Sequence, residues 1–299
     1  MRFFNSKLMV AAAAATAMAL LILFSIILTR SGSDEKSLND TMPPTDETGA
    51  ADLEFNYFVP DSSFDGTAHQ YADYLKTRDD ERESLFKLGH YYHDMEQWER
   101  ASEYYLRSWE LERDDISPLL YAAVAMSGGA FPEEAERLFG MAMDIDPHDP
   151  ELLLYSALFY IDFGSFSRAD SLLRELLKVD PGNALAAYHI TVMPIESDRD
   201  EMVALSRLAA ESEPQEPLFR YNYALNLYQA GYRDEAVRYL KTLTDDEPSF
   251  LESWLLLLHI YREAGETGKA RELLSSAIAH RDIADESKPF LLDLLRELN

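Results

Sequence analysis

The feature that most constrains the fold of this chain is a period of about 34 residues, which is a length typical of repeat architectures. Alanine recurs once in each period, except for one gap of two periods from which a single residue is lost. Proline follows the same period to within one position. Repetition at this length is typical of small units stacked one on another. The two series are Ala101, Ala135, Ala169, Ala236 and Ala270, and Pro147, Pro181, Pro214 and Pro248.

Each alanine lies in a segment with the spacing of an amphipathic helix. A large apolar residue follows four positions later, and a small or aliphatic residue follows seven positions later. Positions i, i+4 and i+7 share one face of a helix. An earlier segment in each period has apolar residues spaced 3, 1 and 3, which predicts a second helix. The first such segment contains Leu85, Leu88, Gly89 and Tyr92.

This pattern resembles the tetratricopeptide repeat, W-x2-L-G-x2-Y…A-x3-F…P over about 34 residues. The resemblance covers about residues 82–281 and implies an all-α, right-handed α-solenoid of about six helical hairpins. One hairpin cannot bury its own apolar face, so each unit needs the next. Within a repeat domain of residues 65–299, we expect units at about 82–115, 116–149, 150–182, 183–215, 216–249 and 250–281, and a C-terminal capping helix over 286–298.

The fourth unit departs from the pattern. Pro194 falls in its first helix, removes a backbone amide and is expected to shorten that helix. Met202 or Val203 takes the place of the alanine, depending on where the missing residue falls. We expect a local change in superhelical pitch between units 1–3 and units 5–6.

Residues 8–28 form an uncharged apolar run between a short tail, residues 1–7, and a flexible linker, residues 29–64, that is apolar toward its end. As a helix the run is about 31 Å long, which matches a hydrocarbon core of about 30 Å. It predicts an uncleaved transmembrane signal anchor, with a cleaved signal peptide as the alternative. Arg2 and Lys7 precede the run, which favours a cytoplasmic N-terminus and an extracytoplasmic repeat domain. We expect a single-pass protein of the bacterial inner membrane with its repeat domain in the periplasm.

The composition is strongly acidic. Fifty-four acidic and 27 basic residues give a net charge of −27. A nucleic-acid binder needs a cationic surface, so we exclude that class. The sequence has no cysteine, which excludes disulfides, thiolate metal sites and cysteine nucleophiles. The acidic surface either serves solvation alone or attracts a basic partner.

The sequence contains no catalytic or cofactor motif, and we expect no enzyme activity, no cofactor and no metal. Neither G-x-S-x-G nor H-E-x-x-H occurs. The best metal candidate is the pair His90 and His93, spaced i, i+3 on one helical face. A third ligand is not evident, so we interpret both histidines as surface or packing residues.

The resemblance implies a concave surface lined by the first helix of each unit, where relatives hold extended peptides or helices. Here that face is apolar and aromatic, although a solvated helix should be polar there. It is a groove for a partner segment, a widening of the core between units, or a groove filled by residues 55–64. Only Arg262 has the chemistry of a terminal-carboxylate clamp, so we do not expect a clamp. The candidate groove residues are Phe86, His90, His93, Leu120, Val124, Leu154, Leu158, Ile161, Tyr221, Leu225, Tyr228, Leu255, His259 and Arg262.

The sequence therefore predicts a non-enzymatic, membrane-tethered scaffold for protein–protein interaction. Its partner would be a polypeptide, with basic flanks favoured by the acidic rims, buried mainly against Leu154, Leu158, Leu225 and Tyr228. Two alternatives stay open: a self-associating structural component of the cell envelope, and the same scaffold facing the cytoplasm.

Overall fold

The computed structural model describes residues 80–298, which form thirteen helices and no strand. The predicted all-α fold is confirmed for this part of the chain, whereas the predicted tail, membrane anchor and linker lie outside it. The helices are α1 (Glu81–Asp94), α2 (Trp98–Leu111), α3 (Ser117–Gly128), α4 (Pro132–Ile145), α5 (Pro150–Asp162), α6 (Phe166–Val179), α7 (Ala184–Val192), α8 (Arg199–Ser212), α9 (Pro217–Gln229), α10 (Arg233–Asp246), α11 (Leu251–Glu263), α12 (Thr267–Ala279) and α13 (Lys288–Glu297).

The described residues divide into two compact units, with the division between Pro181 and Gly182. Unit 1 contains the hairpins α1/α2, α3/α4 and α5/α6. Unit 2 contains the hairpins α7/α8, α9/α10 and α11/α12, followed by α13, which has Pro289 in its first turn. In each hairpin we call the first helix the A helix and the second the B helix.

The alanines that define the period lie at the centre of the packing. All five are 0% exposed, and each is the fourth residue of its B helix. The large apolar residues four positions later are buried as well, as at Tyr105 and Leu240. The amphipathic stripe predicted from the sequence is therefore confirmed, and a small residue at this position lets the two helices approach closely.

Gly89 shows how close that approach is in the first hairpin. A Cβ atom on Gly89 of α1 would lie 2.4 Å from Cδ1 of Tyr105 in α2. Tyr105 is itself fully buried, so its ring has no free space into which it can move. The glycine of the repeat pattern is thus required here by the ring of the partner helix.

The fourth hairpin has the shortened A helix that Pro194 predicts. Helix α7 has nine residues and ends at Val192. The following residue, Met193, has an extended ψ of 143°, because a residue before a proline disfavours the helical conformation. Helix α8 begins at Arg199, so Met202 occupies the position of the repeat alanine. The large apolar position four residues later is held by Ser206, which is 0% exposed and donates a hydrogen bond from Oγ to the carbonyl oxygen of Met202 at 2.7 Å.

We expect Gly89→Ala to lower the free energy of unfolding by about 1–3 kcal/mol, because the new methyl group overlaps the Tyr105 ring. The matched control is Gly140→Ala in α4, where a Cβ atom would meet nothing within 4 Å. That substitution should stabilise the protein by about 0.5–1 kcal/mol through helix propensity. Urea unfolding followed by circular dichroism measures both. Equal effects of the two substitutions would contradict the packing argument.

Candidate functional site

The predicted groove residues divide evenly between the interior and the surface. Seven are half-buried and can offer area to a partner, and seven are buried, at 8% exposure or less. For the buried seven, contacts between neighbouring helices already cover the side chain. These residues therefore widen the core between repeat units, which is one of the alternatives for this face. The half-buried set is Phe86, Leu154, Ile161, Leu225, Tyr228, Leu255 and Arg262, and the buried set is His90, His93, Leu120, Val124, Leu158, Tyr221 and His259.

In unit 1 an aromatic cluster joins α1, α2 and α3. The His90 ring lies 4.9 Å from the Tyr121 ring and 5.2 Å from the Tyr105 ring, both edge-on. The Tyr105 hydroxyl and His90 Nδ1 share a hydrogen bond of 2.9 Å. Phe86 closes the cluster, with its ring 5.6 Å from that of Tyr121. The A helices α1 and α3 therefore contact each other through aromatic side chains.

Burial determines the protonation of His90. Loss of solvent, with a smaller contribution from His93, lowers the pKa of His90 from 6.5 to about 4. The ring is therefore neutral near pH 7 and acts as a packing and hydrogen-bonding group. His93 packs its ring edge-on against Trp98 at 5.1 Å.

The pair His90 and His93 has no third metal-ligating side chain beside it in the described part of the chain. Within residues 80–298, no three side chains of His, Cys, Asp or Glu come together as a metal site would require. The interpretation of these residues as packing histidines agrees with their aromatic surroundings.

The surface that the A helices of unit 1 form continues from α3 to α5. The Tyr121 hydroxyl donates to Glu151 Oε1 at 3.3 Å. Partial burial raises the pKa of Glu151, and the Tyr121 hydrogen bond opposes that effect. Leu154 and Ile161 on α5 remain half-buried. We call Phe86, Tyr121, Leu154 and Ile161 the unit 1 face, an apolar surface with a carboxylate at its edge.

In unit 2 the corresponding surface is framed by α9 and α11. Tyr228 of α9 donates a hydrogen bond to Glu263 of α11, and its ring meets the His259 ring edge-on at 5.8 Å. Burial, and then the Glu263 hydrogen bond, raise the pKa of Tyr228. Leu225 and Leu255 are half-buried beside these residues. We call Leu225, Tyr228, Leu255 and Arg262 the unit 2 face.

A buried polar network lies between α7 and α9. Asn222 Nδ2 donates to Thr191 Oγ1 at 2.6 Å, and the Thr191 hydroxyl donates to the carbonyl oxygen of Tyr188 at 2.7 Å. Asn226 Nδ2 donates to the carbonyl oxygen of Asn222 at 2.8 Å. Asn222 and Asn226 are 3% and 6% exposed, so these amides serve the packing of the A helices.

Sequence reasoning missed Tyr121, Glu263 and Thr191. Tyr121 lies next to Leu120 in the chain, and it is the tyrosine, not the leucine, that remains half-buried. No pattern within a single helix distinguishes the two, because the choice depends on how the neighbouring A helix sits.

Comparison with known proteins identifies the repeats. Sequence models of the tetratricopeptide repeat match residues 83–115 and residues 132–189. The chain therefore contains tetratricopeptide repeats, and proteins with this fold typically act as scaffolds for protein–protein interaction.

One curated relative is the cytochrome c-type biogenesis protein CycH of Rhizobium meliloti (strain 1021), 26% identical over 185 residues, which cover 59% of this chain and 46% of the relative. The chain thus spans about half the length of that protein.

Solved structures share the fold as well, and two of them illustrate the likeness. PilF of Pseudomonas aeruginosa has a TM-score of 0.54 and 14% identity, covering 71% of this chain and 97% of its own. The APC/C hetero-tetramer Cut9–Hcn1 has a TM-score of 0.51 and 14% identity, covering 77% of this chain and 45% of its own.

The lowered pKa of His90 predicts a stability change with pH. Because the folded pKa of about 4 lies below the unfolded value of 6.5, the stabilising contribution of neutral His90 is present above pH 6.5 and is lost as pH falls toward 4. The loss amounts to about 3 kcal/mol.

His90→Gln should remove this pH dependence, since glutamine stays neutral at every pH and can still form a hydrogen bond with the Tyr105 hydroxyl. We expect a flatter dependence of unfolding free energy on pH between 6.5 and 4, measured by urea unfolding. His148→Gln is the control, because the His148 side chain is 66% exposed. A slope equal to that of the parent protein in His90→Gln would contradict the assignment.

Proposed function

We propose that this protein is a non-enzymatic, membrane-tethered scaffold that binds a segment of a partner polypeptide on its A-helix faces. The observation that carries the proposal is the set of half-buried apolar side chains on the unit 1 face and the unit 2 face. Leu154, Ile161, Leu225 and Leu255 each expose area that solvated helices normally give to polar residues. Tetratricopeptide repeats supply the fold in which such faces typically bind polypeptides.

The expected affinity is modest. Covering the exposed part of one of these side chains stabilises a complex by about 1 kcal/mol, so the two on each face contribute about 2 kcal/mol before the entropic cost of association. A short amphipathic segment presenting several apolar side chains suits such a surface. Leu158 contributes little to this mechanism, because it is only 5% exposed and already packed.

Carboxylates beside both faces favour a partner with basic flanks. Glu151 borders the unit 1 face and Glu263 borders the unit 2 face, in a chain whose net charge is −27. Attraction between opposite charges accelerates encounter and weakens as salt is added. Binding of the partner should therefore become slower at higher ionic strength.

The membrane tether in this proposal is the apolar run of residues 8–28. Among residues 80–298, no helix is both long and apolar enough to cross a bilayer. The proposal rests on the length of the run, its lack of charge and the basic residues before it. A tether of this kind would hold the repeat domain, and the polypeptide bound to it, close to the membrane on the extracytoplasmic side.

The likeness to CycH supports a partner class. That relative is named for cytochrome c-type biogenesis, and its match to this chain covers 46% of its length. We propose that the bound polypeptide is a c-type cytochrome precursor or another protein of that biogenesis route. This identification is separable from the groove itself, since the faces would bind by the same contacts whatever the partner.

Leu154→Glu combined with Leu225→Glu should abolish partner capture, because a carboxylate would then lie in the apolar surface of each face. The full-length protein and this variant are purified from membranes in mild detergent, and the associated proteins are identified by mass spectrometry. We expect at least tenfold less of the specific partner with the variant, corresponding to about 1.4 kcal/mol or more of lost binding energy.

Leu111→Glu combined with Leu292→Glu is the matched control, since these leucines are 53% and 39% exposed and lie outside both faces. Circular dichroism checks that all variants remain helical. Equal loss with both pairs would refute a groove on the A-helix faces. Capture of only further copies of this chain, lost with neither pair, would favour a self-associating structural role.

Removal of residues 1–30 should release the protein from membranes, because the only proposed tether is then gone. Alkaline carbonate extraction of the full-length and truncated proteins measures this. Protease added to cells with a permeabilised outer membrane should degrade the repeat domain of the full-length protein while a cytoplasmic marker survives. Protection of the repeat domain would place it in the cytoplasm.

A further inference from the structure

A solvent-open pocket lies on the B-helix side of unit 2, among α8, α9 and the start of α10. Its volume is about 300 Å³. It is separate from the unit 2 face, because none of the residues of that face lines it. The lining residues are Asp200, Val203, Ala204, Arg207, Tyr223, Leu227, Tyr232 and Glu235.

The pocket combines an apolar floor with an acidic and aromatic rim. Tyr223 and Leu227 are buried, at 9% and 2% exposure, and form the floor with half-buried Val203. The rim includes Asp200, Glu235 and Tyr232, which are exposed, and the Tyr232 hydroxyl donates to Asp200 Oδ1 at 3.0 Å. Such a lining suits a group with an apolar stem and a positively charged end.

Three of the other hairpins carry a basic residue at the corresponding position, whereas the second has Glu134 there, which accepts a hydrogen bond from Arg137 of its own helix. In the third hairpin, Arg168 lies 5.2 Å above the ring centre of Tyr160, and its Nη1 atom is 2.6 Å from Glu136 Oε1. Arg168 directly precedes the repeat alanine of its B helix, and Tyr160 comes nine residues before that alanine. The first and sixth hairpins repeat this arrangement, with Arg100 over Tyr92 at 5.6 Å and Lys269 over Tyr261 at 5.6 Å.

The fifth hairpin reverses the charge at this position. The residue before its repeat alanine is Glu235, and the residue nine positions before that alanine is Leu227. A carboxylate thus stands where three other hairpins carry their own cation. Burial, followed by the charge of Glu235, raises the pKa of Tyr223, and the charge of Arg207 opposes this effect. Arg207 is the one basic residue of the lining.

We propose that this pocket binds the alkylammonium or guanidinium end of a basic side chain, lysine or arginine, from a partner polypeptide. The stem of that side chain packs on Leu227 and Val203, and its charge lies between Asp200 and Glu235 beside Tyr232. The bound cation lies near the position that corresponds to Arg168 in the third hairpin, with Leu227 in place of the tyrosine ring. The site does not depend on occupancy of the A-helix faces.

The test uses full-length protein in detergent micelles, with 13C label on the tyrosine rings. Tyr223→Phe and Tyr232→Phe assign the two resonances. The probes are N-acetyl-lysine N-methylamide and N-acetyl-arginine N-methylamide, and the neutral N-acetyl-norleucine N-methylamide serves as comparison. We expect the two cationic probes to shift the Tyr223 and Tyr232 signals at millimolar concentration, with an effect that decreases as salt is raised. Equal shifts with the norleucine probe would overturn the proposal.

Two variants locate the effect in the pocket. Asp200→Asn combined with Glu235→Gln should weaken binding of the cationic probes about tenfold, since both partner charges are removed. Glu99→Gln combined with Glu110→Gln, two positions on α2 outside the pocket, makes the same change in net charge and should leave binding unchanged. Equal weakening by the two pairs would show that only the overall charge acts, and would refute the site.

Glu235→Arg provides an independent check, because it places a cation of the chain itself at the position that Arg168 holds in the third hairpin. The new guanidinium group should occupy the space over Leu227 next to Asp200 and abolish the shifts caused by the cationic probes. Unchanged probe binding in Glu235→Arg would overturn the proposal, since the probe would then not occupy this position.

Discussion

The close approach of the two helices in each hairpin is the constraint on which the rest of the structure depends. Five alanines are completely excluded from solvent at the same repeat position, and Gly89 leaves room for the buried ring of Tyr105. A larger side chain at these points would separate the helices and expose both apolar faces to water. The repeat period of the sequence therefore reflects the short distance at which the two helices of each hairpin pack. It also means that the packing positions of the B helices have similar surroundings in the five hairpins that carry the alanine.

The fourth hairpin shows what happens when this packing is relaxed. Met202 replaces the alanine, Ser206 replaces a large apolar residue, and α7 has only nine residues. Less apolar area is available there, and hydrogen bonds take over part of the contact with α9. Thr191, the penultimate residue of α7, both accepts from Asn222 and donates to a backbone carbonyl. Because these buried polar groups are partnered, the substitution of polar for apolar contact is tolerated.

The sequence predicted the hairpins well because the relevant pattern is a property of one helix. The spacing of alanines and apolar residues marks the buried stripe of each B helix without reference to any neighbour. The surface of the A helices was less predictable for the opposite reason. Leu120 and Leu154 stand at the same repeat position, fifteen residues before their alanines, yet Leu120 is 1% exposed and Leu154 is half-buried. Their burial depends on the adjacent hairpin, which periodicity does not describe.

Differences between equivalent positions are consequently more informative about function than the features that all hairpins share. The packing positions vary little because the helix spacing fixes them. The position before each repeat alanine is free of that constraint, and there Arg100, Arg168 and Lys269 each cover a tyrosine of their own hairpin. These basic residues are thereby engaged within the protein, while acidic residues outnumber basic ones by 54 to 27 in the whole chain. A cationic group that approaches the protein therefore finds these three basic residues already paired with tyrosines. In the fifth hairpin it finds a carboxylate, Glu235, at the equivalent position.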